Sequence, residues 1–186
     1  MENRGEAFMN KNIGEVLLDE KTIEKRVKEL GEEISKDYAG KDLVMICILK
    51  GASVFYSDLS RAVKVHFKMD FMSISSYGDA EKTSGIVSIK KDIDTSITGK
   101  HVVIVEDIMD SGLTLSYLTR LLAARQPESL RICCLLDKPE RRECEISPDY
   151  VGFTIPNKFV VGYGLDYEGY YRNLPYVGVL SPTAIH

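Results

Sequence analysis

Several kinds of chemistry are missing from this sequence. Its four cysteines, Cys47, Cys133, Cys134 and Cys144, show no Cys-x-x-Cys spacing. Three of them lie inside apolar runs, so buried reduced thiols are expected rather than a zinc site. The three histidines, His66, His101 and His186, have neither metal-ligand nor triad spacing. No Gly-x-Ser-x-Gly, Walker-type or dinucleotide glycine motif occurs. Internal repeats, linkers and low-complexity segments are absent as well. No apolar run approaches the roughly 20 residues of a membrane span. Residues 1–15 are polar and lack the apolar core of a signal peptide, so a cytoplasmic protein without membrane contact is expected. A net charge of −4 offers no basic footprint and disfavours nucleic acid as a partner.

What remains is an ordinary globular composition, 44% hydrophobic and 28% charged, over 186 residues. That length suits one domain whose core needs no staples. Residues 19–38 carry Ile23, Val27, Leu30 and Ile34 at helical spacing, and Gly40 ends the pattern. Residues 43–49, 102–105 and 130–136 read as strands buried on both faces, the mark of a parallel sheet. A helical pattern over 54–63 follows the first of these. Residues 65–75 and 86–89 read as strands around a polar, glycine-containing loop, which is either an exposed hairpin or a lid that excludes water. Shorter strands are expected at 16–18, 151–153 and 159–161, with a turn at Ile155-Pro156-Asn157. The charged segment 140–145 reads as a surface connection.

The densest chemistry follows residues 102–105. Glu106 and Asp107 come first, then Asp110-Ser111-Gly112-Leu113-Thr114, then Leu115, Leu118, Leu121 and Leu122 at helical spacing. The unit is strand, acidic loop, hydroxyl- and glycine-containing turn, helix. In an open α/β sheet such a turn lies at the carboxyl edge, where ligands bind. A helix start offers unpaired N–H groups and the positive end of the dipole, which suit a phosphate. Gly112 lets the backbone approach closely, and Ser111 and Thr114 supply hydroxyls. Carboxylates beside a phosphate need another partner, either the hydroxyls of a sugar or a divalent cation carried by the phosphates. The loop therefore points to a ligand combining sugar, phosphate and metal. A plain helix cap explains Ser-Gly, but it does not call for three carboxylates. Lys50 closes another buried strand, which is costly unless its ammonium reaches water or an anion.

The run from Val105 to Thr114 resembles the phosphoribosyl-pyrophosphate (PRPP) binding motif of the type I phosphoribosyltransferases. Three further stretches are similar to the hypoxanthine (hypoxanthine-guanine) members of that family. They are Ile48-Leu49-Lys50-Gly51, Ser75-Ser76-Tyr77-Gly78 and the run from Lys158 to Tyr167, and they occur in family order across residues 43–179. The resemblance implies an α/β fold with a Rossmann-like, mainly parallel sheet flanked by helices. It implies a core over about 41–140, a small hood from the N-terminal arm and C-terminal segment, and a mobile lid at about 76–88.

The implied reaction moves 5-phosphoribosyl from PRPP to N9 of hypoxanthine or guanine, giving IMP or GMP and pyrophosphate, with Mg²⁺ as cofactor. By resemblance, Asp110 is the general acid/base at the purine N7. Ser111, Gly112, Leu113 and Thr114 cradle the 5′-phosphate, and Glu106 and Asp107 hold the ribose hydroxyls or the metal. Lys50 and Gly51, after a cis Leu49–Lys50 bond, bind pyrophosphate together with Arg172. Ser76 and Tyr77 belong to the lid. Lys138, Lys158, Phe159, Val160 and Asp166 face the purine, and Asp166 is also a metal candidate. Lys158 donates without accepting, so it favours a 6-oxo group over the 6-amino group of adenine. Phe159 either stacks on the base or packs in the core. A homo-oligomer, dimer or tetramer, is implied too. Two departures are small: Ala52 replaces a frequent second glycine, and Ser111 a common threonine. The rival readings are specificity for another base such as xanthine, or a PRPP-sensing regulator without catalysis.

Overall fold

The computed structural model describes residues 11–76 and 87–184. After β1 (Ile13–Leu18), helix α1 (Glu20–Asp37) starts on Asp19, whose carboxylate accepts the Thr22 N–H at 2.7 Å. Its stripe of Ile23, Val27, Leu30 and Ile34 is buried, as the sequence spacing requires. Next come β2 (Leu43–Leu49), α2 (Ser53–Ala62), β3 (Phe67–Ser76), β4 (Val87–Lys91) and β5 (His101–Met109). The chain continues through α3 (Leu113–Ala123), β6 (Ser129–Asp137), β7 (Tyr150–Thr154), β8 (Val160–Val161) and β9 (Val177–Leu180). Among the described residues no helix is long and apolar enough to cross a membrane.

Six strands form the larger sheet in the order β4-β3-β2-β5-β6-β7. All its pairings are parallel except β3 with β4. Both faces are covered, which is why β2 and β5 are apolar at every core position. Leu43, Met45, Cys47, Val103 and Val105 pack with α1 and α2. Val44, Ile46, Ile48, Val102 and Ile104 pack with α3 on the opposite face. The helices after the neighbouring strands β2 and β5 thus leave on opposite faces. That divergence opens a crevice at the carboxyl ends of β2 and β5. A three-stranded antiparallel sheet, β1-β9-β8, joins the beginning of the described chain to its end. At the β7 edge of the larger sheet, Arg26 of α1 donates to the carbonyls of Gly152 and Val151, at 3.1 and 2.7 Å.

One expectation needs correction and another an addition. β5 does not stop at Val105: it pairs with β6 as far as Met109 opposite Asp137, so Glu106 and Asp107 are strand residues and not part of a loop. The segment 140–145 does run over the surface, and its side chains and backbone also hold the turn after β5, a role its charge pattern did not announce.

Candidate active site

Both diverging turns carry predicted residues. After β5, Gly112 adopts a φ of +82° and opens α3. Any side chain there would be strained and would also collide, since an added Cβ falls 2.6 Å from Ile146 Cγ2 and 2.9 Å from Arg142 Cδ. No side chain caps α3. Ser111 Oγ accepts the Leu113 N–H only at a long 3.4 Å. The first N–H groups of the helix therefore face a cavity of about 180 Å³ lined by Glu106, Asp107, Asp110, Ser111, Gly112 and Thr114. A larger groove, about 930 Å³, runs between α1, α2 and residues 172–175. Of the predicted residues it includes only Arg172, so size does not mark the reaction site here; the donors and carboxylates do.

Glu106 and Asp107 form the floor. Burial is the main force that lifts both carboxyl pKa values, and for Glu106 the neighbouring Asp107 charge adds to it. The Arg172 guanidinium pulls Asp107 the other way. Their hydrogen bonds come from backbone: Asp107 N–H donates to Glu106 Oε1 at 3.1 Å and Ile108 N–H to Asp107 Oδ1 at 2.8 Å. Gly51 lies against this floor, where an added Cβ would fall 1.7 Å from Asp107 Oδ2. The Leu49–Lys50 bond before it is cis, and the Lys50 side chain is exposed. Arg172 joins this half of the crevice by donating to the Gly164 carbonyl at 2.5 Å and pairing with Asp166 at 2.6 Å. The second oxygen of Asp166 accepts the Gly169 N–H at 2.8 Å. Glu106, Asp107 and Asp166 do not converge into a cage, since among the described residues no three acidic, histidine or cysteine groups are placed to share a metal.

On the other side, Asp110 is tied to the connection after β6. Arg141 Nε donates to Asp110 Oδ1 at 3.1 Å. Arg142 donates to the Asp110 carbonyl at 2.7 Å and pairs with the Asp137 carboxylate. Glu143 N–H donates to the Ser111 carbonyl at 2.9 Å. The segment is a strap across the phosphate turn, and sequence reasoning missed Arg141 and Arg142. Two arginines directly after a strand tip that neighbours an acidic turn were the available signal.

The predicted purine residues divide. Lys138 is buried, its N–H donates to the Met109 carbonyl at 3.0 Å, and its ammonium has no hydrogen bond or ion pair among the described residues. Burial lowers its pKa, and the nearby Asp110 charge opposes that shift. Lys158 instead pairs with Glu15 at 2.6 Å on an exposed surface. Phe159 is 48% exposed and meets Tyr167 edge-on, while Val160 is buried in β8. Ser76 ends β3 with its backbone opposite Val87. Tyr77 and most of the expected lid lie outside the described residues.

A crevice at a parallel-sheet switch point, with a left-handed glycine opening a helix beside buried carboxylates, belongs to a nucleotide- or sugar-phosphate-handling α/β protein. Residues 14–168 match the family model of the phosphoribosyl transferase domain. Among relatives, the hypoxanthine-guanine phosphoribosyltransferase of Bacillus subtilis is 51% identical over 176 residues, covering 95% of this chain and 98% of that protein. A solved hypoxanthine phosphoribosyltransferase from Staphylococcus aureus is 49% identical with a TM-score of 0.93, covering 96% of this chain and 97% of that one. The bifunctional protein TilS/HprT of Listeria monocytogenes is 47% identical over 178 residues, and there the chain spans only 28% of the relative's length. The chain belongs to the hypoxanthine-guanine phosphoribosyltransferase family.

Proposed function

We propose that this chain, acting as one domain, transfers the 5-phosphoribosyl group of PRPP to N9 of hypoxanthine and guanine, releasing pyrophosphate. One observation carries the reading. The α3 start at Gly112, with no side-chain cap from Gly112, stands beside a buried and a part-buried carboxylate, Glu106 and Asp107, that accept backbone N–H groups. That combination receives a phosphate and, next to it, something carrying hydroxyls or positive charge. Ser111, Gly112, Leu113 and Thr114 hold the 5′-phosphate. Glu106 and Asp107 hold the ribose hydroxyls and favour the oxocarbenium character that develops when the anomeric bond breaks. Lys50, Gly51 and Arg172 receive the departing pyrophosphate.

Mg²⁺ fits this floor, because such an ion takes one or two protein carboxylates and completes its shell with water and substrate oxygens. Glu106 and Asp107 would hold it, whereas Asp166 is engaged by Arg172. When bound, the ion neutralises charge on the pyrophosphate.

Asp110 takes and returns the proton at the purine N7, and it leaves Arg141 to do so. We reassign the 6-oxo donor from Lys158 to Lys138, a buried residue whose ammonium has no hydrogen bond or ion pair among the described residues and sits near Asp110. Phe159 and Val160 cover the base from the small sheet, which serves as the hood. Ser76 and Tyr77 close over the reacting carbon and keep water out. The buried thiols Cys47, Cys133 and Cys134 suit a reducing compartment, so we place the enzyme in the cytoplasm, as a homo-oligomer. The deciding assay supplies PRPP and Mg²⁺ with hypoxanthine, guanine, xanthine or adenine in turn. Nucleotide from the first two, with adenine inert, supports the reading; PRPP binding without turnover of any base replaces it with a sensor.

A further inference from the structure

Arg172 reaches the site on a turn that nothing in α3 or β5 holds, so something else must fix its distance from Lys50 and Gly51. Residues 162–174 fold back on themselves: Tyr163 N–H donates to the Leu174 carbonyl at 2.8 Å and Gly164 N–H to the Arg172 carbonyl at 2.9 Å. The base of this fold-back rests on the pyrophosphate turn, where a Cβ on Gly164 would fall 2.1 Å from the Gly51 carbonyl oxygen. Tyr163 occupies the left-handed region at φ +49°, where a residue with a side chain persists only if its surroundings hold it. Its ring is buried and its hydroxyl donates to Asp58 Oδ2 at 2.5 Å. Asp58 belongs to α2, the helix that starts just after Gly51, and Arg61 holds its other oxygen.

We propose that the Tyr163–Asp58 hydrogen bond sets the register between the Arg172 turn and the Lys50–Gly51 turn, making both residues positioning residues for pyrophosphate binding. The inference rests on the assignment of Lys50, Gly51 and Arg172 to pyrophosphate. The bond joins the Arg172 segment to α2 through side chains that are not themselves assigned to pyrophosphate. Through Gly164 it fixes both Arg172 contacts: the Arg172 guanidinium donates to the Gly164 carbonyl, and the Arg172 carbonyl accepts the Gly164 N–H. Among the described residues this linkage makes no contact with Asp110 or Lys138, and it meets Phe159 only through the Tyr167 ring further along the segment, so its loss falls mainly on pyrophosphate.

Tyr163→Phe keeps the ring and removes only the hydroxyl. Calorimetric titration with magnesium pyrophosphate, and separate KM values for PRPP and hypoxanthine, read the effect. We expect pyrophosphate affinity and the PRPP KM to worsen roughly tenfold, the scale of one hydrogen bond to a charged acceptor. The hypoxanthine KM should stay within about twofold, because the hydroxyl removed makes no contact with Asp110, Lys138 or Phe159. Asp58→Ala should match Tyr163→Phe, and the double variant should be no worse than either alone. Asp58→Asn, whose amide oxygen still accepts the hydroxyl, should recover most of the affinity. Equal weakening of both substrates, additive losses in the double variant, or unchanged pyrophosphate affinity overturns the proposal. The titration needs no turnover. Wild-type protein that binds pyrophosphate without catalysis defeats the transferase reading while the positioning test still stands, and wild-type protein that binds none defeats both.

Discussion

Lys138 and Lys158 both stand beside strands that border the crevice, and both look alike in sequence as basic residues near strand ends. Lys138 is a buried residue directly after β6, with no ion pair among the described residues and its charge disfavoured by burial. Lys158 precedes β8 in the small sheet, half-exposed and paired with Glu15. A cation on a buried stem carries a desolvation cost that an incoming acceptor can offset, whereas an exposed ion pair is close to neutral. The difference extends to their surroundings. The floor, built on β5 and β6, holds Asp110 and Lys138 on the larger sheet and straps them with Arg141 and Arg142. The small sheet offers Phe159 and Lys158 from the surface.

The largest test of this contrast is Asp110→Asn. It should lower kcat by about 10²–10⁴-fold, the worth of a general acid/base, while PRPP affinity measured by calorimetry changes little. Activity near wild type would remove Asp110 from the floor's chemistry. Next, Lys138→Met should reduce kcat/KM for hypoxanthine by about 100-fold, because the 6-oxo group is left unpaired in a buried pocket. Lys158→Met should cost less than about threefold, as expected for an exposed charge. The reverse order would invert the comparison.

A smaller effect separates stability from function on the floor. Because burial raises the Glu106 pKa, the folded protein retains a proton that the unfolded chain releases earlier. That contribution is fully present below the unfolded carboxylate range and is lost as pH rises through the folded value. Glu106→Gln removes the loss, so without ligand it should melt about 2–4 °C higher than wild type at pH 8 and match it at pH 4. The same variant should bind PRPP more weakly. A melting difference that is equal at both pH values would mean that the carboxylate is not destabilised by its burial. Smallest of all, Glu15→Gln should lower stability by less than about 0.5 kcal/mol and leave kcat/KM unchanged. A clear drop in kcat/KM would show that the Glu15–Lys158 pair shapes the base pocket.

Helix α1 was legible in the sequence almost to the residue, because Asp19 caps it and its apolar stripe is local information. The buried strands were legible too, since both faces are covered and every core position is apolar. The end of β5 was not. Glu106 and Asp107 look like loop residues until the ladder with β6 is known, and pairing between distant strands leaves no local pattern. The strap at Arg141 and Arg142 escaped for the same reason, as its partners are a backbone carbonyl and carboxylates contributed by β5 and β6. Asp110 and the Ser111–Thr114 turn were recognisable because their chemistry is contiguous in sequence. Lys138 and Lys158 could not be ranked before burial was known.

The β7 edge of the larger sheet ends in backbone groups that a strand from another molecule could pair with. Arg26 already occupies the carbonyls of Val151 and Gly152, using a side chain that Glu29 and Glu33 hold in place. A guanidinium lying along that edge meets any incoming strand with charge and finds its acceptors taken, so this face of the sheet resists the edge-to-edge stacking from which aggregates grow.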